Sequence, residues 1–212
     1  MKKTLFILFC LSAIAVNAQK ITWEKGQETT FLGGQTQLEV EYVYTDMLCG
    51  RKSIPANEYV GEKVKEYNEK EAGKGDDYAR KFEEAKTKEY KTKFELSMNK
   101  QLAKNNIKVG EDQKDGKFKI ILSTTRWFPG YNVGVSSQDA YCDFHLSIVE
   151  KAIGTEYAVL TMKNVPGAVL KGVPGMGGVM SLTVDHDTFK RVGEAYAKAG
   201  KVLGGHIAKK LK

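Results

Sequence analysis

The segment AYCDFHLSIVE, residues 140–150, decides the fold, because apolar and polar residues largely alternate along it. Alternation of this kind predicts a β-strand with one buried and one exposed face. The segments KFKIILSTTRWFPG, residues 117–130, and EYAVLTMKN, residues 156–164, alternate in the same way. Pro129–Gly130 and Gly154 mark turns, so the three strands are expected to form an antiparallel meander.

Segments with helical periodicity precede and follow these three strands in the sequence. Residues 54–75, and then a run that continues to about Asn105, carry apolar residues at helical spacing. Asp76 or Asp77 is expected to cap the second of these helices. The clearest helix is the last one, which Asp185 or Asp187 is expected to cap. Its apolar stripe comprises Phe189, Val192, Tyr196, Ala199, Leu203, Ile207 and Leu211.

A second row on the last helix consists of small residues, namely Gly193, Ala197, Gly200 and Gly204. A glycine inside a helix costs about 1 kcal/mol relative to alanine. Such a row therefore predicts that the backbone of this helix closely approaches the sheet or a neighbouring helix.

The order of the elements favours an α+β fold. TQLEVEYVYTDM, residues 36–47, alternates and predicts a strand before the first helix, and residues 21–34 suggest a short edge strand. The sequence therefore predicts a two-layer α+β domain, with a mainly antiparallel sheet and helices packed on one face. We expect this single domain to span residues 19–212.

The N-terminus has the pattern of a secretory signal peptide. Lys2 and Lys3 precede an apolar run that is too short to span a membrane well, and Val16-Asn17-Ala18 resembles a cleavage site of the A-x-A type. Cleavage after Ala18 would export the chain to the periplasm or to the extracellular side. Later in the chain, no segment approaches about 20 consecutive apolar residues, so we expect no transmembrane helix in the mature protein.

The charge of the chain is moderately basic. Removal of residues 1–18 takes away two of 33 basic residues and leaves 26 acidic ones, which gives a mature net charge of +5. Acidic and basic residues are interleaved over residues 58–95, as on a solvated surface. Export argues against a nucleic-acid partner, whereas an envelope protein or an anionic envelope surface is a possible partner.

The stretch GVPGMGGVM, residues 172–180, is rich in glycine but also apolar. The glycine spacing of a phosphate-binding loop is present, but Gly178 stands where that motif requires lysine, and no cofactor motif is found elsewhere. The segment either covers the protein's own core or faces a ligand or partner. The residues of this predicted ligand or partner loop are Gly172, Pro174, Gly175, Met176, Gly177 and Gly178.

Two clusters of aspartate and histidine are weak candidates for chemistry. Asp143 and His145 point to the same side of one predicted strand, and His186 lies between Asp185 and Asp187. If the clusters converge, they offer an acid–base pair or metal ligands. No metal-binding spacing supports this reading. The alternatives are a polar sheet face for the first cluster and a helix cap for the second.

Two cysteines remain in the mature chain. Cys142 falls on the apolar face of its strand and is expected to be buried, and Cys49 follows a different strand. We therefore predict that they do not form a disulfide.

Three blocks resemble small exported proteins of Bacteroidota that have no assigned function. They are residues 57–85, the FPGYNVGV turn at 128–135 and the closing helix at 189–211. The resemblance implies an envelope compartment and no specific chemistry. The sequence thus favours a non-enzymatic exported protein that binds or scaffolds through its loops. The alternative is a metal-binding or hydrolytic protein that uses Asp143, His145 and His186.

Overall fold

The computed structural model describes residues 20–133, 136–168 and 187–212. Eight strands form one open sheet and two more form a separate hairpin. The strands are β1 (Lys20–Lys25), β2 (Gln37–Val43), β3 (Leu48–Cys49), β4 (Ile54–Pro55), β5 (Lys108–Gly110), β6 (Phe118–Phe128), β7 (Tyr131–Val133), β8 (Ser136–Gln138), β9 (Tyr141–Glu150) and β10 (Thr155–Pro166). The order in the sheet is β1-β10-β9-β6-β2-β5, with β3 beside β6 and β4 beside β3, while β7 pairs with β8.

The centre of the sheet is the predicted meander. β9 pairs antiparallel with β6 on one side and with β10 on the other. Alternate side chains of the three strands enter one core, which confirms the alternation seen in the sequence. The fully buried members on these strands include Ile120, Leu122, Cys142, Phe144, Leu146, Ile148, Ala158, Leu160 and Met162.

The sheet is mixed, because β2 runs parallel to both β6 and β5. A parallel pair needs a crossover connection, which is supplied here by the helices between β2 and β6. Leu38 and Val40 of β2 are buried, as the alternation predicts. At the far edge of the sheet, the side-chain amide of Asn99 forms hydrogen bonds with both the backbone N–H and the backbone C=O of Val109 in the short strand β5.

The crossover helices are α1 (Ala56–Lys70), α2 (Lys74–Glu84) and α3 (Tyr90–Leu102), and a π-helical turn (Ala85–Glu89) joins α2 to α3. The expected cap at Asp76 or Asp77 is wrong. The cap position is occupied by Gly73, whose φ of 86° is left-handed. Both aspartates lie in the first turn instead, where carboxylates stabilise the positive end of the helix.

The last helix, α4 (Thr188–Lys210), begins where the sequence predicts. The Oδ1 atom of Asp187 accepts a hydrogen bond from the backbone N–H of Phe189 at 2.8 Å, so Asp187 is the N-cap. The predicted apolar stripe faces the sheet and is buried from Phe189 to Ile207. Asp185, the alternative cap, lies outside the described residues.

The small-residue row of α4 packs against α3. A Cβ atom added at Gly200 would lie 2.3 Å from the carbonyl oxygen of Phe94, and one at Gly204 would lie 3.0 Å from that of Met98. The predicted close backbone approach is therefore confirmed, and the neighbour is a helix. Because residue numbers rise together along the contact, α3 and α4 run parallel and end on the same side of the molecule.

The opposite face of the sheet carries polar and charged side chains. Glu39 on this face binds Lys114 and Lys151, with Nζ–O distances of 2.7 and 2.9 Å. Partial burial alone would raise the pKa of Glu39, but the hydrogen bonds and charges of the two lysines outweigh it and lower the pKa. The protein is thus a two-layer α+β fold with helices on one face of a mixed, largely antiparallel sheet.

Candidate functional site

Asp143 holds a bulge in the neighbouring strand. Its Oδ1 atom accepts a hydrogen bond of 2.6 Å from the backbone N–H of Asn164. Asn164 has a left-handed φ of 52°, and the register between β9 and β10 shifts here, between Met162 and Val165. The carboxylate therefore satisfies a backbone donor that the regular ladder would leave unpaired.

His145 lies on the same sheet face as Asp143, as the alternation predicts. Its register partners are Ser123 on β6 and Thr161 on β10, which are short hydroxyl side chains. Over residues 20–133, 136–168 and 187–212, no three His, Cys, Asp or Glu side chains are grouped so that they could hold a metal ion. The described surroundings of His145 are thus a polar sheet face.

The rest of the predicted site lies partly outside the described residues. This holds for His186 and for the whole loop, Gly172, Pro174, Gly175, Met176, Gly177 and Gly178. Asp187, the third member of the second cluster, is the helix cap described above. The sequence leaves the convergence of the two Asp/His clusters open, and His186, on which it depends, lies outside the described residues.

Cys49 and Cys142 are both buried and free. The burial of Cys142 and the absence of a disulfide confirm the predictions, whereas the burial of Cys49 was not predicted. Trp127 lies between them, because Cys49 is its register partner on β3 and Cys142 is its partner on β9. Two strand spacings place the cysteine backbones about 10 Å apart, which is too far for a disulfide. Burial raises the pKa of the Cys49 thiol to about 12 and that of Cys142 well above its usual value, so neither is an activated nucleophile.

The outer surface of the helix layer presents a concentrated positive charge. Six lysines are exposed here, two at or just beyond the C-terminal end of α3 and four in or beyond the second half of α4. On α4 they follow a single helical stripe, at steps of three, eight and three residues. We call this surface the lysine face; it consists of Lys100, Lys104, Lys198, Lys201, Lys209 and Lys212.

The lysine face differs from the other charged surfaces in its lack of counter-charges. None of its six lysines forms an ion pair with a carboxylate in the ranges that the structure describes. Most lysines on α1 and α2 are paired instead, for example Lys63 with Glu66 at 2.7 Å and Lys81 with Asp77 at 2.7 Å. The positive charge of the lysine face is therefore available to an external anion.

One end of the lysine face is concave. A shallow groove of about 590 Å³ lies between the C-terminal ends of α3 and α4, and none of the described residues that line it is acidic or aromatic. Its floor contains Gly205 and Ala208, and two side-chain amides, Gln101 and Asn105, stand beside the charges. The charged members are Lys100, Lys104, Lys209 and Lys212.

The positive charge of this groove exceeds the amount needed to compensate the negative C-terminal ends of the two helices. Each helix C-terminus carries roughly −0.5 of an elementary charge, so two parallel ends together contribute about −1. The four lysine side chains carry more positive charge than these two helix ends offset. Capping of helix dipoles thus explains only part of this cluster.

Two other recesses lie where α2 meets the start of α4, with volumes of about 440 and 430 Å³. Both include Lys81, Asp187 and Phe189 in their lining. Here Lys81 is neutralised by Asp77, and Asp187 caps α4. These recesses lack the unbalanced charge of the lysine face.

Taken alone, the lysines near the end of the last helix have an ordinary explanation, since they complement the negative end of its dipole. The signal that could have found the site is the distribution of acids, since residues 96–110 and 195–212 contain none. What the sequence could not reveal is that α3 and α4 lie side by side and parallel. That pairing merges two basic stretches, about 90 residues apart in the chain, into one surface.

The remaining comparisons are with known proteins and with membrane-spanning helices. No protein-family model matches the chain, and no curated protein matches it. Two solved structures of the PelC dodecamer from Paraburkholderia phytofirmans, one of them a point variant, are distantly similar. The variant shares 8% identity with a TM-score of 0.32 and covers 68% of this chain and 78% of its own. The other shares 9% identity with a TM-score of 0.31 and covers 68% and 80%. Among the described residues, no helix has the length and apolarity needed to span a membrane.

Proposed function

We propose that the protein is exported and acts, without catalysis, as a binding or scaffolding protein that holds an anionic partner of the cell envelope on the lysine face. The observation that carries this proposal is the set of six exposed lysines without carboxylate partners in the described ranges. Export rests on the signal-peptide pattern that ends at Ala18. An exported protein meets anionic lipids and polymers of the envelope, and not intracellular nucleic acid.

The chemistry of the groove supports binding more than catalysis. Its described lining offers lysine ammonium groups and two amides, and no carboxylate, imidazole or thiol that could serve as a general base or nucleophile. Ammonium groups donate charge-assisted hydrogen bonds to phosphate or carboxylate oxygens. The arrangement therefore favours the binding of an anion without a chemical reaction.

The metal-binding or hydrolytic alternative stays weaker on the described residues. Asp143 is engaged by the backbone of Asn164, which occupies one of its carboxylate oxygens. His145 has small hydroxyl residues as its register neighbours. His186, the third residue of this alternative, lies outside the described ranges.

Calorimetric titration with inorganic polyphosphate, a soluble polyanion, tests the proposal. Binding should weaken as salt is raised from about 0.15 M to about 0.5 M, because exposed charges are screened. The variant Lys100→Ala/Lys209→Ala removes one charge from each helix and should weaken binding about tenfold. The matched control is Lys65→Ala/Lys163→Ala, which removes two exposed lysines elsewhere. No binding, or an equal loss in the control, would contradict the proposal.

A further inference from the structure

We infer that the anionic partner of the lysine face is a lipid bilayer, and that Leu96 enters its headgroup region when the protein docks. This inference rests on the proposed function and specifies the partner of the same surface. It requires a face that is broad and basic, with an apolar side chain at its surface. The acid beside Lys198 and Lys201, Glu194, is paired with Lys93.

The helix layer provides a broad surface, because α3 and α4 lie unusually close. Gly200 and Gly204 allow the α4 backbone to approach the carbonyl oxygens of Phe94 and Met98. Two parallel helices in such contact form one continuous outer face rather than two separate ridges. Lysines from both helices can therefore reach one plane at the same time.

An exposed leucine stands among these charges. Leu96 is 66% exposed, more than any other large apolar side chain in the described ranges. It precedes Lys100 by four residues, so both side chains follow one outward stripe of α3, and Lys104 follows in the 3-10 turn Ala103–Asn105 after the helix. A leucine beside lysines is the combination by which peripheral proteins bind anionic membranes, since the apolar group enters the interface and the lysines meet the headgroups.

The composition of the groove favours lipid headgroups over a single-stranded nucleic acid as the bound anion. Single-stranded nucleic acids bind through aromatic platforms, and no described residue of the groove lining is aromatic. The lining offers ammonium groups and amides, which match the phosphate oxygens of a headgroup. The stems of the lysines can extend along the surface while their charged ends stay in the polar layer.

The expected strength follows from the number of charges. Each lysine near an anionic leaflet strengthens binding about fivefold, so four lysines contribute a factor on the order of 600. Burial of the exposed two thirds of Leu96 adds about fivefold to 30-fold. The surface can therefore hold the protein on a membrane reversibly, without a transmembrane helix.

Co-sedimentation with lipid vesicles tests the inference. Purified protein is mixed with phosphatidylcholine vesicles, either pure or with about one third phosphatidylglycerol. We expect binding to the anionic vesicles alone, and a loss of binding at high salt. Lys100→Ala/Lys209→Ala should weaken binding about 25-fold and Leu96→Ser about fivefold to 30-fold, whereas Lys65→Ala/Lys163→Ala should not. Circular dichroism checks that each variant is folded.

The outcomes separate this inference from the proposed function. Binding to polyphosphate without binding to anionic vesicles would overturn the bilayer as partner and leave the anion-binding proposal standing. Absence of both would overturn both. Vesicle binding that is equally weak in the lysine-face variant and in the control variant would show that net charge alone acts, and would refute the assignment to this face. Vesicle binding unchanged in Leu96→Ser would refute the role of Leu96.

Discussion

Replacing Gly200 with alanine is expected to separate α4 from α3 and to destabilise the fold. The new Cβ atom would lie 2.3 Å from the carbonyl oxygen and 3.1 Å from the carbonyl carbon of Phe94. These are backbone atoms inside a helix, so they cannot turn away as a side chain can. To restore a normal contact, the helices would have to move apart by about 1 Å.

The magnitude follows from two opposing effects. Alanine in place of a helical glycine gains about 1 kcal/mol from backbone entropy. An extra carbon in a tightly packed contact costs about 1–3 kcal/mol, and the backbone clash places Gly200→Ala at the upper end. We therefore expect a net loss of about 1–2 kcal/mol, which lowers the melting temperature by roughly 2–8 °C for a chain of this length.

Gly205 provides the matched control in the same helix. The nearest atom to an added Cβ is the side-chain oxygen of Gln101 at 3.6 Å, an ordinary contact. Gly205→Ala should therefore stabilise the protein by about 0.5–1 kcal/mol. Urea unfolding followed by circular dichroism measures both variants. Equal or greater stability of Gly200→Ala, or destabilisation of both variants alike, would refute the close parallel packing of α3 and α4.

Four further outcomes are expected. Cys49 and Cys142 should resist thiol reagents in the folded protein at about pH 8, because burial raises their pKa values, and two thiols should react after unfolding; a rapid native reaction would contradict their burial. Asp143→Ala should lower the free energy of unfolding by about 1–2 kcal/mol, since a backbone N–H loses its acceptor, and Asp143→Asn should restore part of it; an unchanged urea midpoint would contradict this role. Because the pKa of Glu39 is lowered in the folded protein, its ion pairs stabilise the fold fully above about pH 4.5. This contribution is lost as the pH falls through the lower folded-state pKa. Glu39→Gln should therefore reduce the drop in the urea midpoint that acid causes. Mass spectrometry of the exported protein should find Gln19 as the first residue, and retention of Met1 would contradict export by cleavage.

The elements that the sequence predicts well are those with a strong local pattern. β6, β9 and β10 are ten or more residues long and alternate over much of their length, and α4 has an apolar stripe that continues for more than five turns. The capping of α4 by Asp187 was also predictable, because the carboxylate stands directly before the apolar stripe. These features depend on neighbours in the chain, which a sequence pattern records.

The features that escaped prediction depend on distant contacts. The parallel pairing of β2 with β6 joins residues about 80 positions apart, and the strands β3 and β5 are too short to show alternation. At the start of α2, Gly73 takes the cap position in a left-handed conformation and moves Asp76 and Asp77 into the first turn. The lysine face was missed for the same reason, because it exists only where α3 and α4 are packed side by side.

The most direct test of the proposed binding surface is a residue-by-residue map of where an anion touches the protein. Backbone amide signals of isotope-labelled protein are followed by nuclear magnetic resonance while inorganic polyphosphate is added. We predict that the shifted signals concentrate on Leu96 to Lys104, at the end of α3 and just after it, and on residues 198–212. Shifts centred on the sheet face around Asp143 and His145, or spread evenly over all exposed lysines, would contradict the assignment of function to the lysine face.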